Sequence, residues 1–158
     1  MKKKQFALLT IAVTSLALVS TALYLQIVER MLPCPLCVLQ RYAFILLAMS
    51  CLLAMTRPAI AQKTGLITGI IASLSGAGVA LHQLYVIAHP SVSCGRDPLQ
   101  TAVNQLPFAQ WFPTVFVAEG MCGTPYDPIL GLSIPQWSLT WFVLYTLSLL
   151  FIIIKKPD

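Results

Sequence analysis

The sequence predicts an all-α membrane protein, a bundle of four transmembrane helices. Of its 158 residues, 58% are hydrophobic and only 9% are charged, whereas soluble domains are about 25% charged. Four long stretches lack Asp, Glu, Lys and Arg, and a helix needs about 20 mostly apolar residues to cross a bilayer. This composition excludes an ordinary soluble domain, and we expect a single integral-membrane domain over residues 1–158.

The uncharged stretches give the helices in chain order. The spans are predicted at about 6–28, 37–55, 65–87 and 136–154, and the loops on the outer side at about 29–36 and 88–135. The second stretch, 42–56, is only 15 residues long, so this span must start near Val38 and take Arg41 into its first turn. The first stretch is uncharged over 24 residues. The apolar core of a signal peptide is only about 7–15 residues long, so we expect a retained helix.

The net charge of +5 does not indicate a nucleic-acid partner, because the charges follow the predicted topology. Seven of the ten basic residues fall on one side of the four-span layout, and these are Lys2, Lys3, Lys4, Arg57, Lys63, Lys155 and Lys156. Four of the five acidic residues fall on the other side. This is the positive-inside pattern, which predicts that both termini are cytoplasmic.

Two stretches predict packing rather than chemistry. The third span carries small residues at four-residue spacing, which let helices approach closely in lipid; these are Gly65, Gly69, Ser73 and Ala77. In the long outer loop, Leu106–Phe116 is rich in aromatic residues. This segment either lies at the lipid headgroups, which we favour slightly, or packs onto the end of the bundle.

The predicted topology separates the five cysteines. Cys34 and Cys37 belong to the first outer loop, and Cys94 and Cys122 belong to the second. These four share one side of the membrane, where disulfides persist if that side is oxidising. Cys51 falls in the middle of the second span and is best explained as a small buried apolar residue.

The C-x-x-C motif of Cys34 and Cys37 allows several functions. A zinc ribbon needs a second closely spaced pair, but Cys94 and Cys122 are 28 residues apart. A c-type haem site needs a histidine after the second cysteine, and residue 38 is Val. A structural disulfide stays open, although closing so short a loop constrains the unfolded chain little. A C-x-x-C motif at a helix start is better explained by redox chemistry.

Cys37 is the stronger candidate nucleophile of the pair. It lies at the predicted start of a helix, where unpaired N–H groups and the helix dipole favour an anion. Arg41 follows four residues later on the same helical face. Both features favour the thiolate, which is the reactive form. An arginine in mid-bilayer costs about 2.5–3.5 kcal/mol, so Arg41 either serves a function or extends its side chain to the headgroups.

The second cysteine pair is compatible with two roles. A disulfide between Cys94 and Cys122 would close a loop of about thirty residues, for which chain entropy gives roughly 3–4 kcal/mol. The spacing does not distinguish a structural staple from a member of a redox relay.

Several motifs together resemble the DsbB family, bacterial inner-membrane proteins that reoxidise the periplasmic thiol oxidase DsbA. The resemblance covers nearly the whole chain. It rests on the four spans, "CPLCVLQR" at 34–41, "QLY" at 83–85, the lone Cys94, "WFPTVFVAEGMC" ending at Cys122, and "GLSIPQW" opening the fourth span. Each motif alone is weak, and their combination is specific.

The resemblance implies a role for each matching position. Cys34 and Cys37 would form the membrane-proximal disulfide, with Cys37 engaging a bound quinone, either ubiquinone or menaquinone. Arg41 would lie beside the quinone and stabilise the thiolate and the reduced ring. Cys94 would form the mixed disulfide with a DsbA-like periplasmic protein, with Cys122 as its intramolecular mate. The protein would then be a thiol:quinone oxidoreductase of the inner membrane, with its active cysteines facing the periplasm.

One position departs from the family pattern. Familiar relatives carry a histidine near the quinone in the third span, where this chain has Val79. His82 follows three residues later and either replaces it or takes no part, since a lone histidine has many explanations.

Three rival interpretations stay open. One is a paralogue serving a dedicated DsbA-like partner, and another is a quinone-reducing bundle similar to vitamin K epoxide reductase. The third is a non-enzymatic membrane scaffold stapled by two disulfides.

Overall fold

Seven helices make up the described part of the chain, residues 2–89, 96–121 and 128–155 of a computed structural model. They are α1 Lys2–Val28, α2 Pro35–Ala54, α3 Ala59–Ala88, α4 Arg96–Asn104, α5 Pro107–Trp111, α6 Pro113–Phe116 and α7 Ile134–Ile154. Four of them, α1, α2, α3 and α7, are long and apolar enough to cross a membrane. Over these residues no strand occurs, and the only strand-like pairing is the bridge between Ile129 and Leu132. The predicted fold class, an all-α bundle of four transmembrane helices, is confirmed.

Prolines mark the starts of α2 and α3. Helix α2 begins at Pro35, two residues before the predicted span, and α3 begins at Ala59, directly after Pro58. Proline suits these positions because its fixed φ fits a helix start and its missing N–H would be unpaired there anyway. Arg41 therefore lies in the second turn of α2 rather than in the first. Uncharged runs locate a span, but they do not locate the ends of its helix.

The core forms where α2 packs between α1 and α3, and where α3 packs against α7. Small residues of α3 permit the closest approaches, as their spacing predicts. A Cβ added to Gly65 would lie 2.6 Å from the backbone of Ala54, and one added to Gly76 would collide with the ring of Phe142. That ring stacks on Phe44, with centroids 4.0 Å apart.

Hydroxyl groups link the helices inside the apolar core. Thr146 Oγ1 donates to Ser73 Oγ at 2.9 Å, between α7 and α3. Tyr145 OH donates to Thr14 Oγ1 at 2.8 Å, between α7 and α1. In lipid such bonds stabilise helix association by about 0.6–2 kcal/mol each.

The outer segment of α4 to α6 folds over the first turns of α2. Its apolar residues enclose the fully buried Val38, and they are Val103, Ala109, Phe116 and Ala118. Tyr42 stacks on Phe116 with ring centroids 4.3 Å apart. Phe108, Trp111 and Phe112 of the same segment stay exposed. The segment therefore packs onto the bundle end with one face and presents aromatic rings on the other.

Candidate functional site

The two cysteines of the C-x-x-C motif meet at the start of α2. Cys34 is the N-cap, and its sulfur accepts the backbone N–H of Cys37, the third helical residue, at 3.3 Å. An N-cap side chain commonly bonds this N–H, so a spacing of three brings both side chains to one point. The two Sγ atoms are 2.9 Å apart, and both cysteines are free thiols. Helix geometry thus pre-positions the pair for forming and breaking a bond.

Cys34 is the hydrogen-bond donor of this pair. Its side chain is buried, and the pKa of the Cys34 thiol is raised above its ordinary value, first by the hydrogen bond with Cys37 and then by burial. The Cys34 thiol therefore donates its proton toward the sulfur of Cys37, which is left as the better nucleophile.

Gln83 of α3 contacts the sulfurs of both Cys34 and Cys37 at the start of α2. Its Nε2 lies 3.2 Å from Cys37 Sγ and 3.4 Å from Cys34 Sγ. Gln40 of α2 donates from its own Nε2 to Gln83 Oε1 at 2.6 Å. Both glutamine side chains are only 4% exposed. The pair forms a buried chain of amides that ends on the two sulfurs.

Arg41 brings a positive charge to the same end of α2. Its Nη1 donates to Gln26 Oε1 at 2.7 Å and to the carbonyl of Val115 at 2.9 Å. Gln26 in turn donates to the carbonyl of Thr114 at 3.0 Å. These partners are neutral, so they orient the guanidinium without cancelling its charge. An electrostatic attraction links that charge to both cysteines.

A cavity of about 440 Å³ opens beside these residues, among the ends of the four long helices that lie near Cys34 and Cys37. Cys34, Cys37, Arg41 and Gln83 contribute to its wall. Most of the remaining lining is apolar or aromatic, including Leu18, Leu25, Phe44, Ile87, Trp137 and Trp141. A cavity of this size, apolar with a few converging polar groups, is typical of a binding site for a small molecule.

The end of the outer segment is fixed to the residue before Cys34. The backbone N–H groups of Glu119 and Gly120 both donate to the carbonyl of Pro33 at 3.0 Å. Gly120 is buried, and a Cβ there would collide with the carbonyl oxygen of Leu32. The two outer loops are therefore joined beside the thiol pair.

Comparisons with known proteins match this chain over its full length or nearly so. The profile of the family described as "Disulfide bond formation protein DsbB" matches residues 4–152. The chain belongs to the DsbB family. A "Disulfide bond formation protein B" of Herminiimonas arsenicoxydans is 49% identical over 158 residues, covering 100% of both chains. The protein of that name from Cupriavidus metallidurans is 44% identical over 151 residues, 94% of this chain and 91% of its own.

Membership in the DsbB family, together with the four apolar helices, makes this a multi-pass membrane protein of disulfide bond formation. A third relative, "Disulfide bond formation protein B 1" of Pseudomonas fluorescens, is 46% identical over 147 residues, 90% of this chain and 85% of its own. The family thus supports a disulfide oxidoreductase role for the chain.

The structure brings only part of the predicted site together. Cys34, Cys37 and Arg41 lie around one cavity. Cys94 and Cys122 lie outside the described residues. Cys51 is buried in the core cluster of α1, α2, α3 and α7, as expected for a small apolar residue.

His82 is exposed on α3 and is not among the described residues that line the cavity. The next residue, Gln83, contacts both sulfurs. A part for His82 in quinone binding stays a prediction.

Sequence reasoning did not identify three glutamines of the site. Gln26, Gln40 and Gln83 all lie inside predicted spans, where an amide is expensive to bury without a partner. That cost was the available signal, because an amide retained in an apolar span usually has a polar neighbour. Gln83 even belongs to the "QLY" motif that carries the family resemblance.

Proposed function

We propose that this protein is a thiol:quinone oxidoreductase that reoxidises a DsbA-like dithiol protein on the periplasmic side of a bacterial inner membrane. One observation carries the proposal. A thiol pair with one buried and one partly buried member, a positive charge and an amide donor share the wall of one apolar cavity among helices long and apolar enough to span a membrane. Such a cavity suits an acceptor that arrives through the lipid, while the outer loops suit a partner that arrives from water.

The residues of the cavity fit a quinone. Phe44, Trp137 and Trp141 offer flat apolar surfaces for its ring, and Arg41 and Gln83 offer hydrogen-bond donors for its oxygens. When bound, a quinone supplies the capacity to take up two electrons and two protons. Cys37 would be the residue that engages it, because the Cys34 thiol donates its hydrogen bond to Cys37 Sγ and leaves that sulfur as the better nucleophile. Arg41 would favour the negative charge that develops on Cys37 and on the acceptor.

Thiol–disulfide exchange would connect the partner with this cavity. A thiolate of the reduced partner attacks the Cys94–Cys122 disulfide, and a mixed disulfide with Cys94 forms. The second partner thiol resolves it, so the partner leaves oxidised and Cys94 and Cys122 become a dithiol. That dithiol reduces the Cys34–Cys37 disulfide in the same way. The two electrons and two protons then leave from Cys34 and Cys37, whose disulfide is restored.

The experiment is turnover of a reduced DsbA-like protein by the purified protein in detergent, with and without added ubiquinone or menaquinone. We expect many turnovers with quinone and at most about two per protein without it, one for each of the two disulfides. Cys37→Ser should abolish the quinone-dependent turnover. A scaffold stapled by disulfides predicts no partner oxidation in any sample, and that result would overturn the proposal.

A further inference from the structure

The amide chain of Gln40 and Gln83 has a direction that matters for the chemistry of Cys37. A glutamine amide presents donors at its nitrogen and an acceptor at its oxygen. Here the nitrogen of Gln83 faces the sulfurs, at 3.2 Å from Cys37 Sγ. A thiolate accepts hydrogen bonds, so it is stabilised by the nitrogen end and destabilised by the oxygen end.

Gln40 determines which end of Gln83 faces the cysteines. Its Nε2 donates to Gln83 Oε1 at 2.6 Å, and this bond holds the oxygen away from the sulfurs. Gln40 bonds to Gln83 rather than to either sulfur, so it acts through its neighbour. Both side chains are buried, and rotating Gln83 would place its nitrogen against the nitrogen of Gln40.

Arg41 does not duplicate this contact. Its Nη1 is occupied by Gln26 and by the carbonyl of Val115. Arg41 therefore contributes charge, whereas Gln83 contributes a direct hydrogen bond. Among the described residues of the cavity wall, Cys34, Cys37 and Arg41 are the ionisable ones, so no other titrating group there would mask an effect of the amides.

We propose that Gln83 is a catalytic residue that stabilises the Cys37 thiolate by direct hydrogen bonding, and that Gln40 is a positioning residue that fixes the orientation of the Gln83 amide. The inference rests on the redox role proposed above for Cys37. It adds a third source of thiolate stabilisation, separate from the charge of Arg41 and from the α2 N-terminus.

The test is the rate at which iodoacetamide alkylates Cys37 in the reduced protein, followed by mass spectrometry from pH 5 to pH 10 in a Cys94→Ser/Cys122→Ser background. Gln83→Leu should slow alkylation at pH 7 about tenfold, the loss expected for one hydrogen bond to a charged group. Gln83→Glu keeps the size but turns an acceptor toward the sulfur, so it should slow alkylation at least as much. Gln40→Leu should slow it by a smaller factor, about threefold, because the Gln83 amide then only samples the wrong orientation.

A double variant separates positioning from packing. If Gln40 acts through Gln83, Gln40→Leu combined with Gln83→Leu should be no slower than Gln83→Leu alone. Gln62→Leu, at the far end of the bundle, should match the parent protein. Gln83→Glu keeps the test decisive if the leucine variants do not elute as folded protein.

Two outcomes would overturn the inference: wild-type alkylation in Gln83→Glu, or independent, multiplicative effects in the double variant. The measurement needs neither quinone nor partner. The amide inference can therefore fail while quinone-dependent turnover stands, and the reverse result is equally visible.

Discussion

At the residue scale, the site combines a charge with a reactive thiol pair at one end of the four-helix bundle. Arg41 is only 6% exposed, and its two hydrogen-bond acceptors are neutral. A buried guanidinium is costly without polar partners, and the hydrogen bonds of Arg41 to Gln26 and Val115 offset part of that cost. An electrostatic attraction links its charge to Cys34 and Cys37.

Replacing Arg41 should affect one half-reaction and spare the other. Arg41→Ala removes the charge beside Cys37, so we expect kcat/KM for quinone to fall about tenfold or more. Exchange between the partner and Cys94 should change little, because it takes place in the outer loop. Arg41→Lys keeps the charge but loses the planar arrangement of N–H donors. Its kcat/KM for quinone should therefore lie between those of the parent protein and of Arg41→Ala. Steady-state quinone kinetics and single-turnover partner oxidation measure the two steps, and equal losses in both would contradict the assignment.

Gly120 offers a second test at this scale, with a matched control. Its missing side chain lets the outer segment approach Leu32 and Pro33, so Gly120→Ala forces the two loops apart. We expect a loss of about 1–3 kcal/mol and a lower thermal unfolding midpoint. Gly78 is a helical glycine with nothing within 4 Å of an added Cβ. Gly78→Ala should therefore leave the midpoint unchanged or raise it, since alanine favours a helix by about 1 kcal/mol over glycine.

The site residues that could be predicted from the sequence are close together along the chain, whereas those that were missed meet only through helix packing. Cys34, Cys37 and Arg41 lie within eight positions, so helical spacing alone relates them. Gln40 and Gln83 are 43 positions apart, and their contact depends on how α2 packs against α3. No periodicity within one helix contains that information, which is why the amide chain needed the fold.

At the element scale, the helices could be predicted from their apolar runs, but their ends could not. The run at 42–56 marks the lipid-buried middle of α2, whereas the helix starts at Pro35 because Cys34 caps it. The three short helices of the outer loop were not predicted at all. Helices α5 and α6 have five and four residues, too short for a 3.6-residue period to show.

The exposed face of α5 predicts a contact with lipid. Trp111 is 68% exposed and neighbours the exposed rings of Phe108 and Phe112. Tryptophan prefers the membrane interface, so we expect lipids brominated near the headgroup to quench Trp111 more strongly than lipids brominated deep in the chain. The measurement needs Trp137→Phe and Trp141→Phe so that one indole is observed. Equal quenching at all depths, or none, would assign the segment to water or to protein contacts alone.

At the scale of the whole molecule, the charges predict which face of the bundle is which. The helices themselves do not distinguish the two sides, so the orientation rests on the positive-inside pattern. Thr56 and Gln105 are exposed at opposite ends of the bundle. In a cysteine-free background, we expect Gln105→Cys to react with a membrane-impermeant maleimide in intact spheroplasts. Thr56→Cys should react only after the membrane is permeabilised, and the reverse pattern would invert the topology.

The capping of α2 by Cys34 has a consequence for protein engineering. One cysteine is the N-cap and the other is the third residue of the helix, so the motif also determines where the helix starts. Pro35 and Leu36, between the cysteines, are both buried, so the spacer is fixed by packing as well as by redox chemistry. A designer who grafts this tetrapeptide into the middle of another membrane helix would keep the thiols and lose their alignment. A graft that keeps the alignment must include the start of the helix, with Cys34 as its N-cap.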